Sequence, residues 1–392
     1  MPSASQEPRI SPELDLVLLC LKARLDEADE RRIRGMAGEA LDWEEVTALV
    51  PSHQVLPAFY RGLQQAVPDC IPAAVRSDFE FRIRNIAKKN MLLFAELLRL
   101  LAAFEAEGVL LIPYKGIVQG WLAYHDLAMR ACLDLDFALR QRDIPRAIEL
   151  LKAQGFESGL PPQHLQLAER GQFPGQYAFQ RGDKELQVEF HTEKTLRYFP
   201  VPLDFDILER RLQTLKIGGR AMRTFSREDT IVFLCVHGAK HFWARLNWIC
   251  DVGRLAGADP APDWAKLEAT AAEMQCARNV LLGLLLAHEM LGARIPDAVL
   301  SRARRDRNVA RLARQVREQI ARKEQSPHGV LQRALFRVRC SDRLGDGMRH
   351  VWRLTTRSTE RDWGDAADRT SFSSALARAR RLVRQYGWRR EN

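Results

Sequence analysis

A chain of 392 residues, 46% of them hydrophobic, is long enough for a sizeable core and two or three domains, with a composition ordinary for a globular protein. The net charge of +10, from 60 Lys and Arg against 50 Asp and Glu, suits phosphate-bearing ligands and says nothing of fold. Seven scattered cysteines without paired spacing argue against a disulfide framework and a zinc knuckle. Residues 1–10 lack the apolar core of a signal peptide, and apolar stretches such as residues 280–287 fall well short of the ~20 residues that span a bilayer. A cytoplasmic protein with no membrane partner is expected.

Residues 1–107 read as an N-terminal helical region. Leu14, Leu16, Val17, Leu18, Leu19 and Leu21 form one compact apolar helix, and residues 43–49 and 55–63 form two short ones near Pro51 and Pro57. Residues 74–106 carry a long amphipathic pattern (Phe79, Ile83, Ile86, Phe94, Leu97, Leu101) that Gly108 should end. Next come Leu110, Leu111 and Ile112, then Lys115 and Gly116, a helical pattern, and a short apolar segment carrying Asp134 and Asp136. This predicts strand, glycine turn, helix, strand. A strand repeats every second residue, so Asp134 and Asp136 should share a face. Two carboxylates in an apolar strand repel one another and call for cations.

Residues 143–154 have helix spacing closed by Gly155, and residues 161–174 read as a polar loop over the site. A hairpin follows. Leu186, Val188 and Phe190 alternate with Gln187, Glu189 and His191, and residues 176–181 form the other arm. Glu189 is therefore a third carboxylate on a polar face, and three acids on neighbouring strands suit two Mg²⁺ ions and a substrate phosphate. From Leu203 onward a C-terminal helical domain, residues 203–392, is expected. Ser226 with Asp229 is a capping-box-like start to a helix running to about Leu255, on which His237, His241 and Arg245 are four apart, with Lys240 beside them. Residues 265–291 read as a helix pair. Residues 301–323 read as an arginine-rich helix striped by Val309, Leu312 and Val316. Residues 345–374 are polar and poorly patterned, and residues 375–386 make a last basic helix.

The Gly turn opening a helix, the Asp-x-Asp and the later acid resemble the polymerase-beta-type nucleotidyltransferase superfamily. More closely, Tyr114-Lys115-Gly116, Tyr124, Arg130, Asp134-x-Asp136, Glu189-Phe190-His191, the run from His237 to His241 and the Tyr386-Gly387 tail resemble a bacterial branch described simply as nucleotidyltransferase family proteins. The turn is Lys-Gly where the superfamily commonly has Gly-Gly or Gly-Ser, and Cys132-Leu133 stand where small polar residues are common; neither removes a carboxylate. The resemblance implies an α+β fold, with a small mixed sheet core at residues 108–202 flanked by helical regions. It also implies Mg²⁺-dependent transfer of a nucleoside monophosphate from an NTP to an acceptor hydroxyl or phosphate.

In this reading Asp134, Asp136 and Glu189 are catalytic and hold the metal, and Lys115, Gly116, Arg130, His237, Lys240 and His241 contact the nucleotide. Each has a plainer alternative. Asp204-Phe-Asp206 is a second Asp-x-Asp, read as a solvated helix start. Lys115 could be a strand-end lysine. Arg130 could pair with acids rather than phosphate. His237 and His241 have metal-ligand spacing, but Lys240 would repel a cation, and a structural role is nearly as good a reading. The arginine run lacks interleaved aromatics, so nucleic acid is not favoured as a partner. A metal-dependent glycosyltransferase using a sugar nucleotide, or a non-catalytic nucleotide- or RNA-binding module, are the rival readings.

Overall fold

The structure, a computed structural model, describes residues 10–38, 41–158, 166, 170, 175–182, 186–193, 204–324 and 329–356. The expected loop at 161–174 lies outside these residues, save Gln166 and Arg170, and the expected helix at 375–386 lies wholly outside them.

Five helices open the chain: α1 Pro12–Cys20, α2 Glu27–Gly38, α3 Trp43–Ser52, α4 Leu56–Ala66 and α5 Ala73–Ala106. Ser11 and Asp42 cap α1 and α3 by accepting backbone N–H groups that the first turn leaves unpaired. The 34-residue α5 ends where Gly108 takes φ +68°. The sheet region follows as β1 Ile112–Pro113, α6 Ile117–Tyr124, β2 Leu135–Ala138, α7 Ile144–Ala153, β3 Glu157–Ser158, β4 Gln176–Arg181 and β5 Leu186–His191. The strand order is β1-β2-β5-β4-β3. Strands β2 and β5 run parallel, and the other pairs are antiparallel, so the sheet is mixed as expected.

The C-terminal half begins with α8 Phe205–Arg210, capped by Asp204, which identifies the second Asp-x-Asp as a helix start. Here the sequence reading needs correction. Residues 213–224 are not helical: they form the hairpin β6 Gln213–Ile217 and β7 Arg220–Thr224. Gly218 and Gly219 make the turn at φ +56° and +79°, the left-handed values that two-residue hairpin loops require. Helices α9 Arg227–Lys240, α10 Leu246–Ala256, α11 Trp264–Glu273, α12 Ala277–Leu291, α13 Asp297–Arg305, α14 Arg307–Ala321, α15 Val330–Cys340 and α16 Leu344–Thr356 complete the described chain.

The single helix expected over 230–255 is broken. Phe242 and Trp243 take positive φ, and the indole of Trp243 folds back over Gly238, where a Cβ would stand only 2.6 Å from the ring. The arginine-rich helix also divides, at Asp306, which ends α13 and caps α14.

Two apolar clusters hold these elements. One joins the second half of α5 to α6, α7 and the sheet, with Phe104, Phe137, Phe179 and Phe190 at its centre. The other runs from α1–α4 into α9–α15. The fold is α+β, with a small mixed sheet between helical flanks. Among the described residues no helix is long and apolar enough to cross a membrane.

Candidate active site

The site is built at the pairing of β2 and β5. Their register sets Asp136 directly beside Glu189 and Ala138 beside His191. Alternation sends Phe137 and Phe190 into the core below and leaves Asp136, Glu189 and His191 on the opposite face. Ligand atoms of these three residues lie within 4.8 Å of one another. Asp134 precedes β2 and sits half-buried at its mouth, with no hydrogen bond or salt bridge to any described residue.

Asp136 is the anchor. Its Oδ1 accepts a hydrogen bond from Lys115 Nζ at 3.1 Å and lies 2.8 Å from His191 Nε2. Burial alone would raise its pKa, but the Lys115 charge and the His191 contact outweigh it and hold this carboxyl well below the usual range. Glu189 is likewise held low. Burial opposes ionisation there, and a hydrogen bond from His191, at 3.4 Å, prevails. The Nε2 amide of Gln176 donates to the same Glu189 oxygen at 2.9 Å. Asp134 behaves differently. Burial, then the charges of Asp136 and Glu189, push it up to about 6. Asp136, Glu189 and His191 together could hold a metal ion; Asp134 stands outside that group but under the charge of both acids, and its oxygens are of the type magnesium takes.

Lys115 enters from the turn after β1. It lies over the Tyr114 ring at 4.9 Å; burial disfavours its charge, but Asp136 and Tyr114 keep it above the ordinary lysine range. The buried Tyr114 ring packs edge-on to His191 at 5.8 Å and against Phe225 and Phe233. Gly116 caps α6 at φ 55°, and a Cβ there would stand 3.0 Å from the Asp134 carbonyl oxygen. The turn thus passes directly over the first acid, which only glycine allows.

The helical half closes the other side. His237 and His241 lie at the end of α9 with ring centroids 4.7 Å apart, and both pack on Trp248. Burial, then the charge of Lys115, pulls His237 well below its usual value, while Asp136 acts in the opposite direction. Burial, then Lys240, brings His241 down to about 3. The tip of α9 thus lies within electrostatic range of the Lys115–Asp136 pair. Lys240 is half-buried there. Arg245, expected on the same face, instead begins α10, with its guanidinium 5.8 Å from the Trp248 ring.

Arg130 sits apart from the carboxylate cluster. Its Nε donates to Asp251 Oδ2 of α10 at 3.0 Å, and its side chain is mostly buried. Gln119 of α6 donates to that same oxygen at 2.5 Å. Asn90 of α5 donates to the Arg130 carbonyl oxygen at 2.7 Å and accepts from the Cys132 N–H. Gln119, Asn90 and Gln176 were not singled out by the sequence, and Asp251, legible only as a polar residue of that helix, had no role assigned. Asp251 is fully buried on an apolar helix, a position that asks for a partner without revealing which.

Compared with known families, residues 39–292 match a family model described as uncharacterised nucleotidyltransferase. No curated protein and no solved structure matches the chain.

Proposed function

The chain belongs to this uncharacterised nucleotidyltransferase family, and on that premise we propose that it catalyses Mg²⁺-dependent transfer of a nucleoside monophosphate from an NTP to an acceptor hydroxyl or phosphate on a small molecule, sugar or peptide. The observation that carries the reading is the register of β2 and β5. It sets Asp136 and Glu189 side by side, with Asp134 at the mouth and a glycine turn across it.

Asp134 and Asp136 would hold two magnesium ions, with Glu189 as the third carboxylate of the site. When bound, the ions supply charge neutralisation at the triphosphate and lower the pKa of the attacking hydroxyl. The acceptor oxygen attacks the α-phosphorus, the bond to the bridging oxygen breaks, and pyrophosphate leaves. Glu189, held ionised, is placed to take the acceptor proton. His191 braces Asp136 and Glu189 together. Lys115 and the backbone at Gly116 steady the β- and γ-phosphates, because a flexible turn at a helix N-terminus lets phosphate approach. Lys240, His237 and His241 reach the nucleotide from α9. Arg130 acts from behind, by fixing the segment that leads to Asp134. Residues 108–202 are the transfer core, with residues 1–107 and 203–392 as its helical flanks.

The test is incubation of the full chain with α-labelled NTPs, Mg²⁺ and lysate as acceptor source. Mg²⁺-dependent labelling that Glu189→Gln abolishes, with NTP affinity little changed, supports the reading. Label arriving only from UDP-sugars makes the protein a glycosyltransferase. NTP binding that ignores Mg²⁺, without turnover, makes it a binding module.

A further inference from the structure

The positive charge of this chain is unevenly distributed. Of its 60 Lys and Arg, 24 lie after residue 300, against only 10 of its 50 acids, so the last 92 residues carry +14 and the first 300 carry −4. The family match ends at residue 292, before this basic segment begins. The same segment holds an unusual apolar surface. Leu331 and Leu335 on α15 are 71% and 41% exposed, and Leu344, Met348 and Trp352 on α16 are 61–68% exposed. They recur at intervals of four, so each helix presents them as one stripe. The opposite sides of these helices are occupied. Phe336 packs on Phe242 at 5.1 Å, Arg333 and Arg337 lie over that same ring, and Gly347 abuts Val338 and Ser341. Helices α15 and α16, joined by residues 341–343, pack together as a helical hairpin, and the stripes are its outer surface.

We propose that this hairpin docks on the surface of an anionic lipid bilayer, seating the leucine and methionine stripes among the acyl chains near the headgroups, with Arg343 and Arg349 against the lipid phosphates. Both arginines are exposed beside the stripe, and Arg349 exchanges its 3.0 Å ion pair with Asp346 for a lipid phosphate on docking. Apolar side chains flanked by arginine on a short amphipathic helix match an interface that is apolar inside and negative at its rim. The other occupants fit less well. A second copy would bring like charge against like charge. Residues 357–392 carry nine arginines against five acids, so the chain's own tail has the same sign. Nucleic acid would meet four aliphatic side chains and the single indole of Trp352, where it needs a run of stacking rings. This contact lies on the surface and needs no spanning helix.

The experiment is co-flotation of the full chain with phosphatidylglycerol-containing vesicles and with phosphatidylcholine vesicles, alongside the double variant Leu344→Glu/Met348→Glu. Both positions are exposed, so the variant should melt as the wild type does. The wild type should float with the anionic vesicles and not the neutral ones, and less at high salt. The variant should bind about tenfold more weakly or worse. Absence of flotation with anionic vesicles overturns the proposal, as does equal flotation of the variant, which would assign binding to the arginines of the tail. A wild-type dimer in light scattering that the variant dissolves, with no vesicle binding, assigns the stripe to a contact between copies and also overturns it.

Discussion

Arg130 separates two roles that the sequence leaves equal, and the pair it forms gives the sharpest prediction. Its guanidinium reaches Asp251 at 3.0 Å, and Asp251 is 0% exposed. Removing one partner of a buried pair strands the other, at a cost of about 3–5 kcal/mol. Arg130→Met should therefore lower stability by that amount, because Asp251 keeps only the Gln119 hydrogen bond. Adding Asp251→Asn should restore all but roughly 1–2 kcal/mol, since an amide oxygen at 251 still accepts from Gln119 and neither charge of the pair remains. Urea unfolding at constant m-value reads both changes and yields the coupling between the sites. If Arg130→Met instead unfolds at the wild-type midpoint while its NTP affinity falls, the guanidinium contacts phosphate, and the network through Asp251 and Gln119 does not position the loop before Asp134.

The two aspartates should differ in stability although both are needed for transfer. In chelator at pH 7, Asp134→Asn should unfold no more readily than wild type, because it removes a charge that burial and two neighbouring acids already oppose. Asp136→Asn should cost about 1–3 kcal/mol, because it takes the anion from a buried lysine. Equal melting of the two in calorimetry would contradict the pairing drawn here. Lys240→Ala should weaken NTP binding by about 1–3 kcal/mol, less as salt rises, in isothermal titration; normal binding with a lowered melting temperature would make the α9 tip an interior surface. His53 provides the pH test. Its Nδ1 accepts the Leu246 N–H, and burial, then Arg245, brings its pKa down to about 4 from 6.5. A depressed folded value means stability is present above 6.5 and is lost as pH falls toward 4, by about 3 kcal/mol in all. His53→Gln should flatten the unfolding free energy over that window, and an unchanged slope would remove His53 as its source.

How much of this was legible depends on the range of each interaction. Asp136 and Glu189 were readable because strand alternation is local: Phe137 and Phe190 declare the buried face, and the acids fall opposite. That they would lie on neighbouring strands was expected, but the parallel register that sets them directly side by side was not readable, since the pairing of β2 with β5 spans more than fifty residues and leaves no mark on either strand. The helix starts at Ser226 and Asp204 were legible for the same local reason. The β6–β7 hairpin was missed despite Gly218-Gly219, whose turn signal is strong. Its strands carry Lys216, Arg220 and Arg223 outward and bury only Ile217, Met222 and Thr224, too weak an alternation to oppose the helical context. The break after Lys240 is tertiary in origin: Trp243 can fold over Gly238 only because residue 238 has no side chain, and the sequence records a glycine without recording the indole above it.

The His191 contact shows why a site can be half legible. The sequence places His191 on the face of Glu189, where bracing that acid is the natural reading. The structure gives its shorter contact, 2.8 Å, to Asp136 on the neighbouring strand, and 3.4 Å to Glu189. With Lys115 on the same Asp136 oxygen, two basic side chains converge on the central acid while Asp134 has neither. The cluster therefore has two anions already compensated by the protein and one that is not. That asymmetry arises because the lysine of the turn and the histidine of β5 reach the carboxylate between them. Asp134 lies just outside the strand ladder, beneath the Gly116 turn, where Lys115 and Arg130 act on it without a direct contact. A divalent cation would complete the charge balance there, and the acid pushed up to about 6 is the one whose ionisation such a cation would favour most.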